Sequence, residues 1–101
     1  MKIYLDDVRP APIGYELAKN YCEMIEFLSS HYNDNVIEEI SLDHDLGEED
    51  LTGYDVLIWI EEQVFNNNYK PPKIKLHSAN PVGMYRMFQV VDSINRRSII
   101  R

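Results

Sequence analysis

With 101 residues, 45% of them hydrophobic, the chain has the length of one domain and can bury a modest core. A formal net charge of -7 argues against a general nucleic-acid-binding surface, which needs a basic patch, but is compatible with an enzyme that handles one phosphate through a cation. The single cysteine, Cys22, excludes an internal disulfide and fits a reducing, cytoplasmic compartment. No signal peptide, lipidation motif or transmembrane run is present, and the longest apolar stretch, Val56 to Ile60, is far too short to span a bilayer.

In chain order, residues 2–6 read as a first strand closed by Asp6-Asp7. Two prolines and a glycine fix residues 8–14 as a loop. Residues 15–19 alternate apolar and polar, the pattern of a second, half-exposed strand. Parallel neighbours need a crossover of a dozen or more residues, so this strand is expected to be antiparallel to the first or a loose edge. Asn20 caps a helix with Glu23 three residues on, and Tyr21, Ile25, Leu28 and Tyr32 follow at helical spacing. Cys22, among them, reads as packing, and His31 as a complement to the helix dipole. Asn33-Asp34-Asn35 is a turn, and Val36 to Leu42 is the central strand. Residues 47–51 form an acidic loop. Thr52 and Asp55 make a second capping pair, opening a helix over 52–66 with Val56, Leu57, Ile60 and Val64 inward. Pro71-Pro72 stops it. Lys73 to Leu76 is a short strand, with Lys75 exposed. Asn80-Pro81 starts a last helix, in which Met84, Met87, Phe88, Val91 and Ile94 form the inward stripe. The tail, Arg96 to Arg101, reads as a final short strand. Right-handed crossovers then place the strands from residues 2, 36 and 73 in one parallel sheet with helices on both faces.

Three apolar runs end in polar side chains: Asp6-Asp7-Val8-Arg9, Asp43-His44-Asp45 and His77-Ser78-Ala79-Asn80. In an open α/β sheet, ligands bind beyond the carboxyl ends of the strands, so these ends are expected to meet. Asp6, Asp7, Asp43 and Asp45 are carboxylates without thiols, a donor set suited to Mg²⁺ or Mn²⁺. Close carboxylates repel without a cation. Taken singly, Asp6-Asp7 would read as a solvated acidic turn, and a lone histidine is more often structural than catalytic. At strand ends, His44 and His77 are candidates for proton transfer or metal ligation. The helix start from Ser78 through Asn80 to Gly83 offers unpaired amides to an anion, with Gly83 allowing close approach, although Asn80 is equally an ordinary cap. Arg9 can grip a phosphate in two places, or pair with a surface acid. Walker-type and dinucleotide glycine loops, zinc-type cysteine sets and the Gly-x-Ser-x-Gly elbow are all missing.

The order of these motifs resembles the receiver domains of two-component response regulators, which carry an acid pair after the first strand, a phospho-accepting Asp after the third, and Ser or Thr followed by Ala after the fourth. Asp6-Asp7, Asp43 and Ser78-Ala79 match. The chain departs from receivers in leaving no room for their first helix and in having no lysine after Lys75. It also aligns Gly53 with Asp45 rather than Asp43. The match is closer to the cyclic-phosphate-processing receiver-like family, in Leu5-Asp6-Asp7-Val8-Arg9-Pro10, Ser41 to Gly47, Thr52-Gly53-Tyr54-Asp55 and His77 to Gly83. The resemblance implies an α/β fold over residues 1–101: a small three-layer receiver-like (flavodoxin-like) domain with a mostly parallel sheet, truncated relative to full receivers.

The expected function is metal-dependent hydrolysis of a cyclic or terminal phosphate, on a phosphate-bearing small molecule or an RNA end, without membrane association. Asp6, Asp7, Asp43 and Asp45 would hold the metal. Arg9, Ser78, Asn80 and Gly83 would hold the phosphate, with Asp43, His44 and His77 catalytic. The alternatives are a degenerate receiver that senses phosphate without turnover, and a structural adaptor whose acids only keep it in solution.

Overall fold

The computed structural model describes residues 1–45 and 51–100; four of the five residues of the expected acidic loop 47–51, residues 47–50, lie outside them. Seven elements follow one another: β1 (Lys2–Leu5), β2 (Tyr15–Ala18), α1 (Tyr21–Ser30), β3 (Glu39–Leu42), α2 (Gly53–Asn67), β4 (Lys73–Leu76) and α3 (Pro81–Ile100). The strands form one sheet in the order β2-β1-β3-β4. Every pairing is parallel, and the register sets Lys2 against Tyr15 and Glu39, and Glu39 against Lys73.

The helix signals act as read. Asn20 accepts the Glu23 amide at 2.9 Å, and the Glu23 carboxylate reaches back to the Lys19 amide. Thr52 and Asp55 close a full capping box. The α2 helix stops at Asn68, which takes the left-handed conformation (φ 56°) that asparagine tolerates. Met24 and Leu28 of α1, and Val56, Leu57, Ile60 and Val64 of α2, are fully buried. They cover Ile3, Leu5, Ile40 and Leu42, which the in-register pairing puts on one face of the sheet.

Several expectations are corrected. The β2 strand is an edge, but it runs parallel to β1, not antiparallel. Residues 6–14 make the return without a helix, since nine residues reach up to roughly 30 Å and a four-residue strand needs about 13 Å. The second helical layer is absent from the described residues. The crossovers β2-α1-β3 and β3-α2-β4 both move the same way along the sheet, so right-handedness puts both helices on one face, and α3 packs beside α2. The opposite face, which the missing first helix of a receiver would have covered, carries Lys2, Tyr4, Tyr15, Leu17, Glu39 and Ser41. The tail is helical rather than a strand: no proline or glycine follows Ile94, and the Ser98 hydroxyl bonds the Ile94 carbonyl. The inward stripe of α3 is Gly83, Met87, Val90 and Ile94, leaving Phe88 56% exposed. A helix with one layer of neighbours buries a narrower stripe than its sequence offers. Cys22 is exposed, not packed.

Candidate functional site

The sheet ladders run one residue past the strands. The Asp6 amide donates to Ala18 O, the Asp43 amide to Leu5 O and the His77 amide to Leu42 O, at 3.1, 3.2 and 2.9 Å. Asp6, Asp43 and His77 therefore stand side by side, with ligand atoms within 4.8 Å of one another. Beyond them lies an open cleft of about 320 Å³ lined by Asp6, Asp7, Val8, Arg9, Asp43, Asp45, Ser78 and Ala79. All four expected carboxylates, together with Arg9 and Ser78, thus share one cleft.

Asp6 is 1% exposed, and both its oxygens are engaged. Its Oδ1 accepts the Val8 and Arg9 amides, both at 2.9 Å, and its Oδ2 lies 3.1 Å from His77 Nε2. The two amide bonds turn the chain and carry Asp7 to the surface on the same rim. Burial alone would raise the Asp6 carboxyl, but these three hydrogen bonds outweigh it and hold it below the usual range. Asp43 goes the other way. Burial lifts its carboxyl and the Asp6 charge adds to the lift, against a hydrogen bond from Ser78.

His77 is held at both nitrogens, Nδ1 lying 2.7 Å from Ser41 Oγ. Its ring also stacks on Tyr4, with centroids 4.0 Å apart and planes 5° off parallel. Burial depresses its basicity, against the pull of Asp6 and Asp43. With Nε2 facing a carboxylate, His77 orients Asp6. His44 differs: Nδ1 is 2.8 Å from Asp45 Oδ1, and Nε2 has no partner among the described residues.

At the helix start 78–83 the hydrogen bonds show the capping alternative. Asn80 Oδ1 accepts the Gly83 amide at 3.0 Å, so Asn80 is the cap of α3, and its Nδ2 faces the Asp45 carboxylate at 3.5 Å. The room left by Gly83 is taken by the His44 ring, whose Cγ would lie 2.6 Å from an added Cβ. Gly83 therefore admits an imidazole where an anion was expected.

Three contributors were given no role at the site by the sequence. Ser41 was legible as a lone hydroxyl between Ile40 and Leu42 in a buried strand. Tyr4 had no signal. Gly53 did: a Cβ there would stand 1.9 Å from the Asp43 carbonyl oxygen, so only glycine lets α2 start against the Asp43-His44 backbone, to which it donates its own amide.

A family model described as the cyclic-phosphate processing receiver domain matches residues 1–93. The chain belongs to this family. No curated protein and no solved structure gives a significant match. Membership agrees with the all-parallel sheet and three helices, and it associates the domain with cyclic-phosphate processing. No helix among the described residues is long and apolar enough to cross a membrane.

The donor set fits a hard divalent cation. Two carboxylates face each other inside 4.8 Å, and one carries an ionisation penalty that a cation would remove.

Proposed function

We propose that this receiver-like domain hydrolyses a cyclic or terminal phosphate in the cleft between Asp6, Asp43 and Ser78. The observation that carries the reading is the convergence of Asp6, Asp43 and His77, with ligand atoms within 4.8 Å of one another, beside Ser78 and Arg9 at one open cleft. Asp6 and Asp43, with Asp7 and Asp45 at the rim, are the residues that would hold Mg²⁺ or Mn²⁺. When bound, such an ion polarises the phosphoryl group and lowers the cost of its charge. The protein's own groups do the rest. Ser78 and Arg9 orient the phosphoryl oxygens. His77, fixed by Ser41 and Tyr4, keeps Asp6 in place. His44 stands beside the cleft lining, held through Nδ1 by Asp45 and packed against Gly83; its Nε2, without a partner among the described residues, would take a proton from the attacking water or give one to the departing ester oxygen as the P–O bond breaks. An exposed Cys22 thiol fits the reducing cytoplasm as the setting.

The test is turnover of a 2′,3′-cyclic nucleotide with and without Mg²⁺ or Mn²⁺. Metal-dependent hydrolysis is expected, lost by at least ~100-fold in Asp43→Asn and reduced ~10²-fold or more in His44→Gln. A folded protein inert with either metal overturns the reading. The receiver-like placing of Asp43 between Asp6 and Ser78 favours one second reading, a phosphate-sensing module. A stable label on Asp43 from acetyl phosphate, without cyclic-phosphate turnover, would decide for it.

A further inference from the structure

All-parallel sheets are almost always covered on both faces, yet among the described residues one face of this sheet has no helix on it. Two cross-strand rows make that face: Tyr15, Lys2, Glu39 and Lys73, then Leu17, Tyr4, Ser41 and Lys75. Its composition decides what can cover it. Leu17 is its one aliphatic side chain, so an amphipathic helix would find no apolar seat. Three lysines against one glutamate make it locally basic in a chain whose total is -7. Glu39 is also committed, to the Tyr15 hydroxyl and, at 3.4 Å, to Lys75. The rings form a series. Lys2 Nζ lies 5.7 Å from the Tyr15 ring centroid, Tyr15 meets Tyr4 edge-on at 5.9 Å, and Tyr4 stacks on His77, whose Nε2 touches Asp6. Tyr4 and Tyr15 are both half-buried, with His77 on one face of the Tyr4 ring and Lys2 over the Tyr15 ring.

We propose that this face is a platform for a short single-stranded nucleic-acid segment whose terminal phosphate enters the cleft at Asp6 and Asp43. Single strands are held where aromatic rings on a sheet accept bases and neighbouring lysines neutralise the backbone. Here both occur on the one uncovered face, and the ring series leads from it to the cleft. The inference rests on the phosphate reading of the cleft and adds to it the surface that would hold the chain leading to that phosphate.

The experiment is fluorescence anisotropy of labelled RNA hexamers ending in a 2′,3′-cyclic phosphate, with the cyclic mononucleotide as competitor. The full chain, Tyr15→Leu, the double variant Lys73→Gln/Lys75→Gln and the remote control Arg96→Gln are compared, each checked for folding by circular dichroism. The hexamer is expected to bind at least ~10-fold tighter than the mononucleotide, and Tyr15→Leu to lose about that factor. The double lysine variant should flatten the slope of log K against log salt by about 1.4, roughly 0.7 for each lysine–phosphate pairing removed. The control should match the full chain. Equal affinity for hexamer and mononucleotide, or hexamer binding indifferent to the tyrosine and lysine variants, overturns the platform. If the mononucleotide is nonetheless hydrolysed, the cleft reading stands without it. Platform-dependent hexamer binding with no hydrolysis of either ligand upholds the platform and removes the hydrolytic reading.

Discussion

Asp6 and Asp43 sit within one ligand shell of each other and answer pH in opposite senses. The folded carboxyl of Asp43 titrates above its unfolded value, so the neutral acid favours the fold. That stability is complete below about pH 4 and is lost as the pH rises through the folded value. For Asp6, whose folded value is lowered, stability is present above about pH 4 and is lost as the pH falls through the folded value. In EDTA at neutral pH, Asp43→Asn should therefore raise the thermal midpoint, and Asp6→Ala should lower it. The latter takes the acceptor from the amides of Val8 and Arg9, both exposed residues, at a cost of about 0.5–1.5 kcal/mol each. Midpoints measured by calorimetry from pH 3 to 8 check both signs. An Asp43→Asn protein less stable than the parent would remove the repulsion argument. The acids and histidines were legible because charged side chains have no reason to end an apolar run unless it emerges at a rim. Which histidine orients and which stays free was not, since that depends on contacts with Ser41, Tyr4 and Asp45 across separate strands.

Among the elements, α2 does the most to place the site. Its first residue, Gly53, lies against the Asp43 carbonyl, and its capping box fixes where the helix begins. Gly53→Ala would force backbone apart and is expected to cost about 1–3 kcal/mol, with metal binding at Asp43 weakened in step. Thr52→Ala should cost about 1 kcal/mol and leave metal affinity nearly unchanged. Urea unfolding and metal titration of the two variants separate the effects. The caps at Asn20 and Thr52 and the four-residue strand at Lys73 were legible because their signals are local. The direction of β2 and the helical tail were not. A nine-residue link permits either strand direction, and a β-branched tail reads as strand until Arg97 is seen over the Phe65 ring, 4.2 Å from its centroid.

For the molecule as a whole, a cation that binds only the folded state should act as a stabiliser by mass action. Mg²⁺ or Mn²⁺ at a hundredfold excess over its Kd would add about 2.7 kcal/mol, a rise in Tm on the order of 10 °C for a domain of this size. EDTA should reverse the rise, and Asp43→Asn should abolish most of it. An unchanged melting curve up to millimolar metal would remove the cation from the site. The one-sided layering was legible in the alternation of Lys2-Ile3-Tyr4-Leu5, Glu39-Ile40-Ser41-Leu42 and Lys73-Ile74-Lys75-Leu76, where strands covered on both faces would be apolar throughout.

The helix-free return through residues 6–14 has a dynamic consequence. The same nine residues that connect β1 to β2 also present Asp6, Asp7 and Arg9 to the cleft, so this wall cannot swing outward without unzipping an edge strand. The amides of Val8 and Arg9, clamped on one carboxylate oxygen, should exchange with solvent deuterium about as slowly as those of the sheet, and their protection should vanish in Asp6→Ala while that of α2 persists.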